Sequence, residues 1–353
     1  MPTIPFRVHK TGKNLSTMPS LGLTNVDFMN AQPLISIIIP TRNRGELLQV
    51  CLNAIRAQTY PHYEVLVIDD GSSLANREIC RGLLQQYDSR VQWHEVHAPD
   101  TQGCGPSVIR NKGIALAQGK YVTFCDDDDF WTCTEHLATA VTCMERQAAQ
   151  VYFGGIQVQD PSGNVIIEKM MPKVEHSLKS AQKLADYDVY AVSRQQILSY
   201  PDYAHLNITI TTKALLDKIG GFWEQINYCE DINLFIRVCD AAEIILFRPS
   251  ICAVHNAPAK RLDMSVSNSL SLQNKRLLEV NAYQHLLMAC DSPCALYYTR
   301  ISLSYLYKVI SEELARGGKK MAALQYAQCA LAMYPTLKWS VYLVWLHLSF
   351  AFR

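Results

Sequence analysis

Four carboxylates stand in a row at Asp126, Asp127, Asp128 and Asp129, between the apolar run YVTFC (121–125) and Phe130-Trp131. Like charges that close raise one another's pKa unless a cation compensates them, so the run either lies open to water or faces something positive. Hard carboxylate oxygens suit Mg²⁺ or Mn²⁺, and such an ion neutralises a diphosphate so that it can leave. Two further acidic pairs occur: Asp69-Asp70, before Gly71, and Glu230-Asp231, about a hundred residues beyond the run. A carboxylate on a separate element can take a proton on the side opposite the leaving group. Cationic residues accompany the acids: Arg42 and Arg44 follow Pro40-Thr41, and Arg110 begins RNKG. Each feature has an ordinary counterpart. The acidic run is also a solvated turn, Asp70 a turn residue before glycine, and Glu230-Asp231 a pair of acids suited to a helix N-terminus. Arg42 and Arg44 equally suit the surface of a helix start.

What distinguishes them is position. "LISIIIP" (34–40), "YEVLVIDDGSS" (63–73), "VQWHEV" (91–96) and "KYVTFC" (120–125) contain buried strands. Between them the spacing predicts helices over 44–59, with Leu48, Cys51, Leu52 and Ile55 on one face, over 75–87, with Ile79, Cys80, Leu83, Leu84 and Tyr87 together, and over 105–119. This alternation implies βαβ units and a mostly parallel sheet, whose ligands sit beyond the carboxyl ends of the strands. Pro40 to Arg44, Asp69-Asp70 and Asp126 to Asp129 occupy three such ends. No GxGxxG or GxxxxGK[ST] follows the first strand, which argues against dinucleotide and P-loop binding.

After residue 150 the rhythm changes to a hairpin over 151–171 turning at Pro161-Ser162-Gly163-Asn164, then a helix over 212–219 stopped by Gly220-Gly221. A short helix follows Glu230-Asp231, with Ile232, Leu234, Phe235 and Val238 packing it and Asp231 at its exposed start, kept ionised by the helix dipole. A strand over 243–248 comes next, and only helices from about 268. The organisation expected is a flexible arm (1–32), a catalytic α/β domain (33–265) and a helical C-terminal region (266–353).

The 353 residues carry a net charge of +1, which points away from nucleic acid. Twelve cysteines without a CxxC pair read as free thiols in a reducing, cytoplasmic compartment, and the N-terminus has no apolar core of a signal peptide. The segment 338–353 is apolar almost all round but shorter than the ~20 residues of a spanning helix. It reads either as a helix packed on the body or as an interfacial anchor on the inner face of the membrane, with Trp339, Tyr342 and Trp345 at headgroup depth between Lys338 and Arg353.

The pieces "ISIIIPTRNRGELLQVCLNAIRAQTYPHYEVLVIDDGSS", "IRNKGIALAQGKYVTFCDDDDFW" and "GGFWEQINYCEDINLFIRV" fall within residues 34–240. In order and spacing the chain resembles the family 2 glycosyltransferases, inverting enzymes of the GT-A fold that use nucleotide-sugars. The resemblance implies that Pro40 and Arg42 contact the nucleotide, that Asp70 accepts from N3–H of uracil, and that Arg110 lies near the diphosphate. It gives Asp126 and Asp128 the DxD positions, Asp128 as metal ligand and Asp126 nearer ribose and metal, with Asp127 between them where serine or alanine is common. Asp231, with Glu230 beside it, matches the base. His255 and Arg261 fall where relatives carry a histidine or arginine near the diphosphate, though a structural histidine is the plainer reading. The implied activity is transfer from a nucleotide diphosphate-sugar, foremost a UDP-sugar, to a saccharide or lipid-linked acceptor in bacterial polysaccharide or glycolipid synthesis, with Mn²⁺ or Mg²⁺. No QxxRW follows the ED pair, which argues against a processive synthase. A sugar nucleotidyltransferase and a non-catalytic interaction module are the alternatives; the first strand lacks the former's glycine-rich, lysine-containing loop.

Overall fold

The first apolar run folds as strand β1 (Ile35–Thr41), buried along almost its whole length because helices cover both faces of the sheet. Helix α1 (Gly45–Arg56) follows, and the four residues expected on its inner face, Leu48, Cys51, Leu52 and Ile55, are all buried. Then come β2 (Tyr63–Asp69), α2 (Leu74–Leu84), β3 (Val91–Glu95), α3 (Pro106–Leu116) and β4 (Tyr121–Phe124). Strands β3-β2-β1-β4 lie side by side and parallel, so their carboxyl ends share one edge. Ile35 pairs with Tyr63 on one side and Tyr121 on the other, which sets Thr41 opposite Asp69. Helix α3 presses on β1 so closely that a Cβ at Gly113 would meet Ile38 Cγ2 at 2.4 Å; glycine alone fits that approach. The computed structural model describes residues 32–200, 202–257 and 270–351, so the expected arm up to residue 31 and Arg261 lie outside the described residues.

Helix α2 departs from expectation. Ile79, expected on the buried face, is 47% exposed, while Arg77 is buried and pairs with Asp69 at 2.7 Å and Glu95 at 2.9 Å. Satisfying that buried carboxylate fixes the rotation of the helix, because an unpaired buried charge costs several kcal/mol.

The second half comprises β5 (Phe130–Trp131), α4 (His136–Gln147), β6 (Val151–Gln159), β7 (Val165–Ile167), α5 (Pro172–Ser177), β8 (Gln182–Lys183), β9 (Tyr190–Val192), α6 (Arg194–Ile197), β10 (Thr209–Thr212), α7 (Lys213–Ile219), α8 (Glu230–Ala241) and β11 (Ile245–Asn256). The strand order is β3-β2-β1-β4-β10-β6-β11-β9-β8, with β5 on β11 and β7 on β6. β10 lies antiparallel between β4 and β6, and β6 runs parallel to β11. The expected hairpin is β6–β7, and α7 ends at Gly220 in the left-handed conformation. Strand β11 runs past the expected end at 248 to Asn256, absorbing Pro249 with register shifts between Phe247 and Ala253. That extension brings His255 to the edge where the acids lie.

Four helices close the chain: α9 (Leu272–Ala289), α10 (Pro293–Arg316), α11 (Lys320–Met333) and α12 (Leu337–Ala351). The main apolar core covers the sheet and takes in Leu286, Cys290, Ala295 and Tyr298 from α9 and α10 and the loop between them. A second, smaller core, including Leu303, Ala327, Trp339 and Leu346, holds the four helices together. No helix among the described residues is long and apolar enough to cross a membrane.

Candidate active site

The carboxyl ends of β1, β2 and β4 open onto a cleft of about 720 Å³, within the size range of small-ligand sites. Pro40, Arg42, Asp70, Arg110, Asp126, Asp127, Asp128, Glu230, Asp231 and His255 all line it. Residues as far apart in sequence as Pro40 and His255 thus meet around one space.

On the β2 side the two acids of the DDGS turn separate in role. Asp69 is fully buried against Arg77. Asp70 turns into the cleft, where its oxygens accept the N–H groups of Cys104 at 2.9 Å and Gly105 at 3.1 Å. Gly71 follows with φ +79°, a conformation that favours glycine. Exposed Arg42 donates to the Thr101 carbonyl at 2.9 Å, so β1 and the loop before α3 frame this end together.

The acidic run is met by cations. Arg44 contacts Asp127 at 3.2 Å and Asp128 at 2.9 Å, and Thr41 donates to Asp127 at 2.7 Å. Arg110 reaches Asp126 at 2.6 Å and Glu230 at 2.9 Å. Asp129 is fully buried; it accepts from His255 Nδ1 at 2.8 Å, from the Asn256 N–H at 2.7 Å and from the Asn207 side chain. The four carboxylates therefore differ. Burial opposes ionisation of Asp126, but Arg110 outweighs it and holds its carboxyl below the ordinary value. Burial raises Asp127 to about 6 against Arg44 and Thr41. Burial and the three neighbouring aspartates raise Asp128 to about 7, only partly offset by Arg44. Burial also depresses protonation of His255, but Asp129 prevails and lifts it to about 9, while burial lowers neighbouring His205 to about 4.

Across the cleft Asp231 occupies the first turn of α8, which begins after Cys229 in the left-handed conformation. Its Oδ1 accepts the N–H of Ile232 at 2.8 Å, and the Tyr203 hydroxyl hydrogen-bonds to it, with Asp231 the chief cause of that phenol's raised pKa. Here the expectation needs correction. Asp231 is half-buried rather than exposed, and burial and adjacent Glu230 raise it to about 6, overriding the Ile232 N–H and Arg110. The helix start does not keep it fully ionised. Ile232 is likewise half-buried, and Leu234, Phe235, Ile236 and Val238 anchor α8.

Six carboxylates (Asp126 to Asp129, Glu230 and Asp231) thus face Arg44, Arg110 and His255. The carboxylate excess and the raised Asp128 fit a hard divalent cation. Among the described residues, two sets bring three ligand atoms within 4.8 Å: Asp129, His205 and His255, and Asp70, His97 and Cys104. Neither contains Asp126 or Asp128. Sequence reasoning assigned no role to Asp129, Tyr203, His205 or Asn207, and placed Arg44 at a strand end without a specific partner. The fourth aspartate was visible in the run, whereas nothing in the sequence marks Asn207 as donating to it.

Residues 36–196 match the family model described as glycosyl transferase family 2. The glycosyltransferase AglE of Haloferax volcanii is 27% identical over 231 residues, which cover 64% of this chain and 67% of AglE. The glycosyltransferase GlyG of Streptococcus pneumoniae is 38% identical over 129 residues, 36% of this chain, but the match spans only 41% of its own length. Among solved structures, TarS 1–349 of S. aureus in complex with UDP-GlcNAc superposes with a TM-score of 0.60 at 17% identity, covering 84% of this chain and 81% of that one. The mannosyltransferase PcManGT of Pyrobaculum calidifontis, in complex with GDP-Man and Mn²⁺, gives 0.53 at 18% identity over 91% of this chain and 81% of its own. At those identities the likeness establishes shared fold.

Proposed function

We propose, from the premise that this chain belongs to the family 2 glycosyltransferases and has their GT-A fold, that it transfers a sugar from a UDP-sugar to an acceptor hydroxyl with inversion. The observation that carries this reading is the placement of Asp231 across the cleft from Asp126 to Asp128, with Arg110 reaching both sides.

Asp70 reads the uracil edge, with Pro40 and Arg42 beside the nucleoside. Arg110 meets the diphosphate, and Asp126 and Asp128 hold Mn²⁺ or Mg²⁺. When bound, that ion supplies charge neutralisation for the departing diphosphate. Held there, the ion would meet the carboxylates of Asp126 and Asp128, the latter crowded by its neighbouring aspartates and in contact with Arg44. Asp231 takes the acceptor hydroxyl's proton while the acceptor oxygen bonds to the anomeric carbon and the bond to the diphosphate breaks. Tyr203 and the Ile232 N–H fix the direction in which that carboxylate points. The UDP-GlcNAc and Mn²⁺ named for the two structural neighbours support the donor class and the metal. The acceptor is a saccharide or a lipid-linked glycan, the latter met at a membrane surface.

A thermal-shift panel of UDP and GDP, with and without Mn²⁺, tests the donor site, since a ligand that binds only the folded state stabilises by mass action. A metal-dependent shift with UDP, lost in Asp70→Ala, is expected. Equal responses to UDP and GDP before and after the substitution would remove Asp70 from base recognition.

A further inference from the structure

The last helix presents two faces of opposite fate. Trp339 and Leu346 are buried at 6% and 1% exposure, and Trp339 Nε1 donates to the Ala327 carbonyl of α11 at 3.1 Å. Lys308 of α10 lies over the Trp339 ring, so α12 is seated on both preceding helices. On the opposite side Leu337, Val341, Val344, Trp345 and Leu348 are between 52% and 84% exposed. Their spacing places them on one stripe of the helix. A packed helix normally turns polar residues outward; this one turns out an apolar row, and such rows mark interaction sites.

Charge selects the occupant. From Leu314 to Arg353 the chain carries Arg316, Lys319, Lys320, Lys338 and Arg353 and no aspartate or glutamate. The whole protein is nearly balanced, with 33 basic and 32 acidic residues, so this segregation is local. Arg316 and Lys319 are exposed at the turn that starts α11, and Lys338 is exposed at the start of α12. A second copy placed face to face would bring like charges together. A surface carrying negative headgroups over an apolar layer satisfies both the stripe and the cations.

We propose that this face of α12 rests in the interface of an anionic lipid bilayer, with Trp345 and its neighbours at headgroup depth and the basic residues on the lipid phosphates. The two readings of the tail thereby become two faces of one helix: Trp339 is core, not headgroup anchor, and Trp345 is the membrane residue. The contact depends on neither the donor nor the base assignment, so each stands or falls separately.

The test is flotation of the full chain with phosphatidylcholine vesicles and with vesicles containing about 30% phosphatidylglycerol. The parent should float with the anionic vesicles, shift its tryptophan emission to the blue, and release at high salt. The triple variant Val341→Ser, Trp345→Ser, Leu348→Ser alters only exposed positions. It should keep the parent melting temperature and lose more than about tenfold in partitioning. Lys319→Gln with Lys338→Gln should weaken binding to anionic vesicles alone. The proposal is overturned if the parent floats with neither vesicle, if the triple variant partitions like the parent, or if sedimentation shows a dimer that the triple variant dissolves.

Discussion

The raised pKa of Asp231 makes the chemistry measurable through its acid limb. A carboxylate at about 6 is about 97% ionised at pH 7.5 but only about 9% at pH 5, whereas an ordinary aspartate loses less than about a tenth over that range. If Asp231 is the base, kcat/KM at saturating Mn²⁺ falls about tenfold between those pH values. Asp231→Asn keeps the size of the side chain and cannot take the proton, so transfer should fall about 10²–10⁴-fold and the limb should vanish from the residual rate. Glu230 supplies the sharper discrimination. It is the second-largest cause raising Asp231, after burial, and is not among the groups that raise Asp128. Glu230→Gln should therefore move the midpoint of the limb to lower pH, and the freed Arg110 guanidinium pushes in the same direction. Initial rates of UDP release across about pH 4.5 to 8 read all three forms. A midpoint unmoved in Glu230→Gln, or Asp231→Asn transferring at the parent rate, would place the base elsewhere.

Asp128→Asn should abolish the Mn²⁺-dependent part of UDP affinity, read by calorimetry with and without metal, while the melting temperature without ligand stays near or above the parent's because a carboxylate crowded by three others is relieved. Arg110→Gln should destabilise by about 3–5 kcal/mol in chemical denaturation, because Asp126 and Glu230 lose their shared partner in a buried setting. His136, fully buried with both ring nitrogens unpartnered, has its pKa lowered to about 3 by burial. The unfolded chain therefore binds the extra proton between about pH 6.5 and 3, and stability falls as pH drops through that window, by about 1.3 kcal/mol at pH 5.5 relative to pH 7. His136→Phe, held between Trp131 and Tyr152, should flatten that dependence in urea titrations at the two pH values.

What the sequence revealed follows the range of the forces involved. Strands β1, β2 and β4 announce themselves because burial on both faces demands runs rich in β-branched and other apolar residues, and the acids placed straight after such runs mark the strand ends, where Asp69 and Asp129 are buried against Arg77 and His255. The ED pair was legible for the same reason, at the head of a helix with an apolar face. The partners of those groups were not. Asp129 and His255 are 126 positions apart, and nothing local marks them as a pair. β10 consists of Thr-Ile-Thr-Thr, whose short polar pattern competes poorly with any loop assignment, and its neighbour Asn207 was hidden with it. Arg77 was missed because an inward arginine makes sense only once Asp69 is known to be buried. Asp231 does stand at the start of its helix and on the cleft, but its exposure and protonation were read from its own helix alone, without the burial and the adjacent Glu230 that set them.

The reversed strand β10 carries a consequence for which segments reach the cleft. A parallel strand hands its exit loop to the catalytic edge, as β1, β2 and β4 do. An antiparallel strand hands over its entry instead, so the segment arriving at β10 delivers Tyr203, His205 and Asn207 just before the strand begins. Everything from β7 to α6 lies upstream of that delivery point and outside the βαβ units of the first four strands. Part of that stretch is tied into the body, since β9 pairs with β11 and Val174, Val189 and Ile197 are buried in the main core, whereas β7 is exposed along its length. The topology thus brings two kinds of segment to one cleft: the exits of β1, β2 and β4, and the approach to β10.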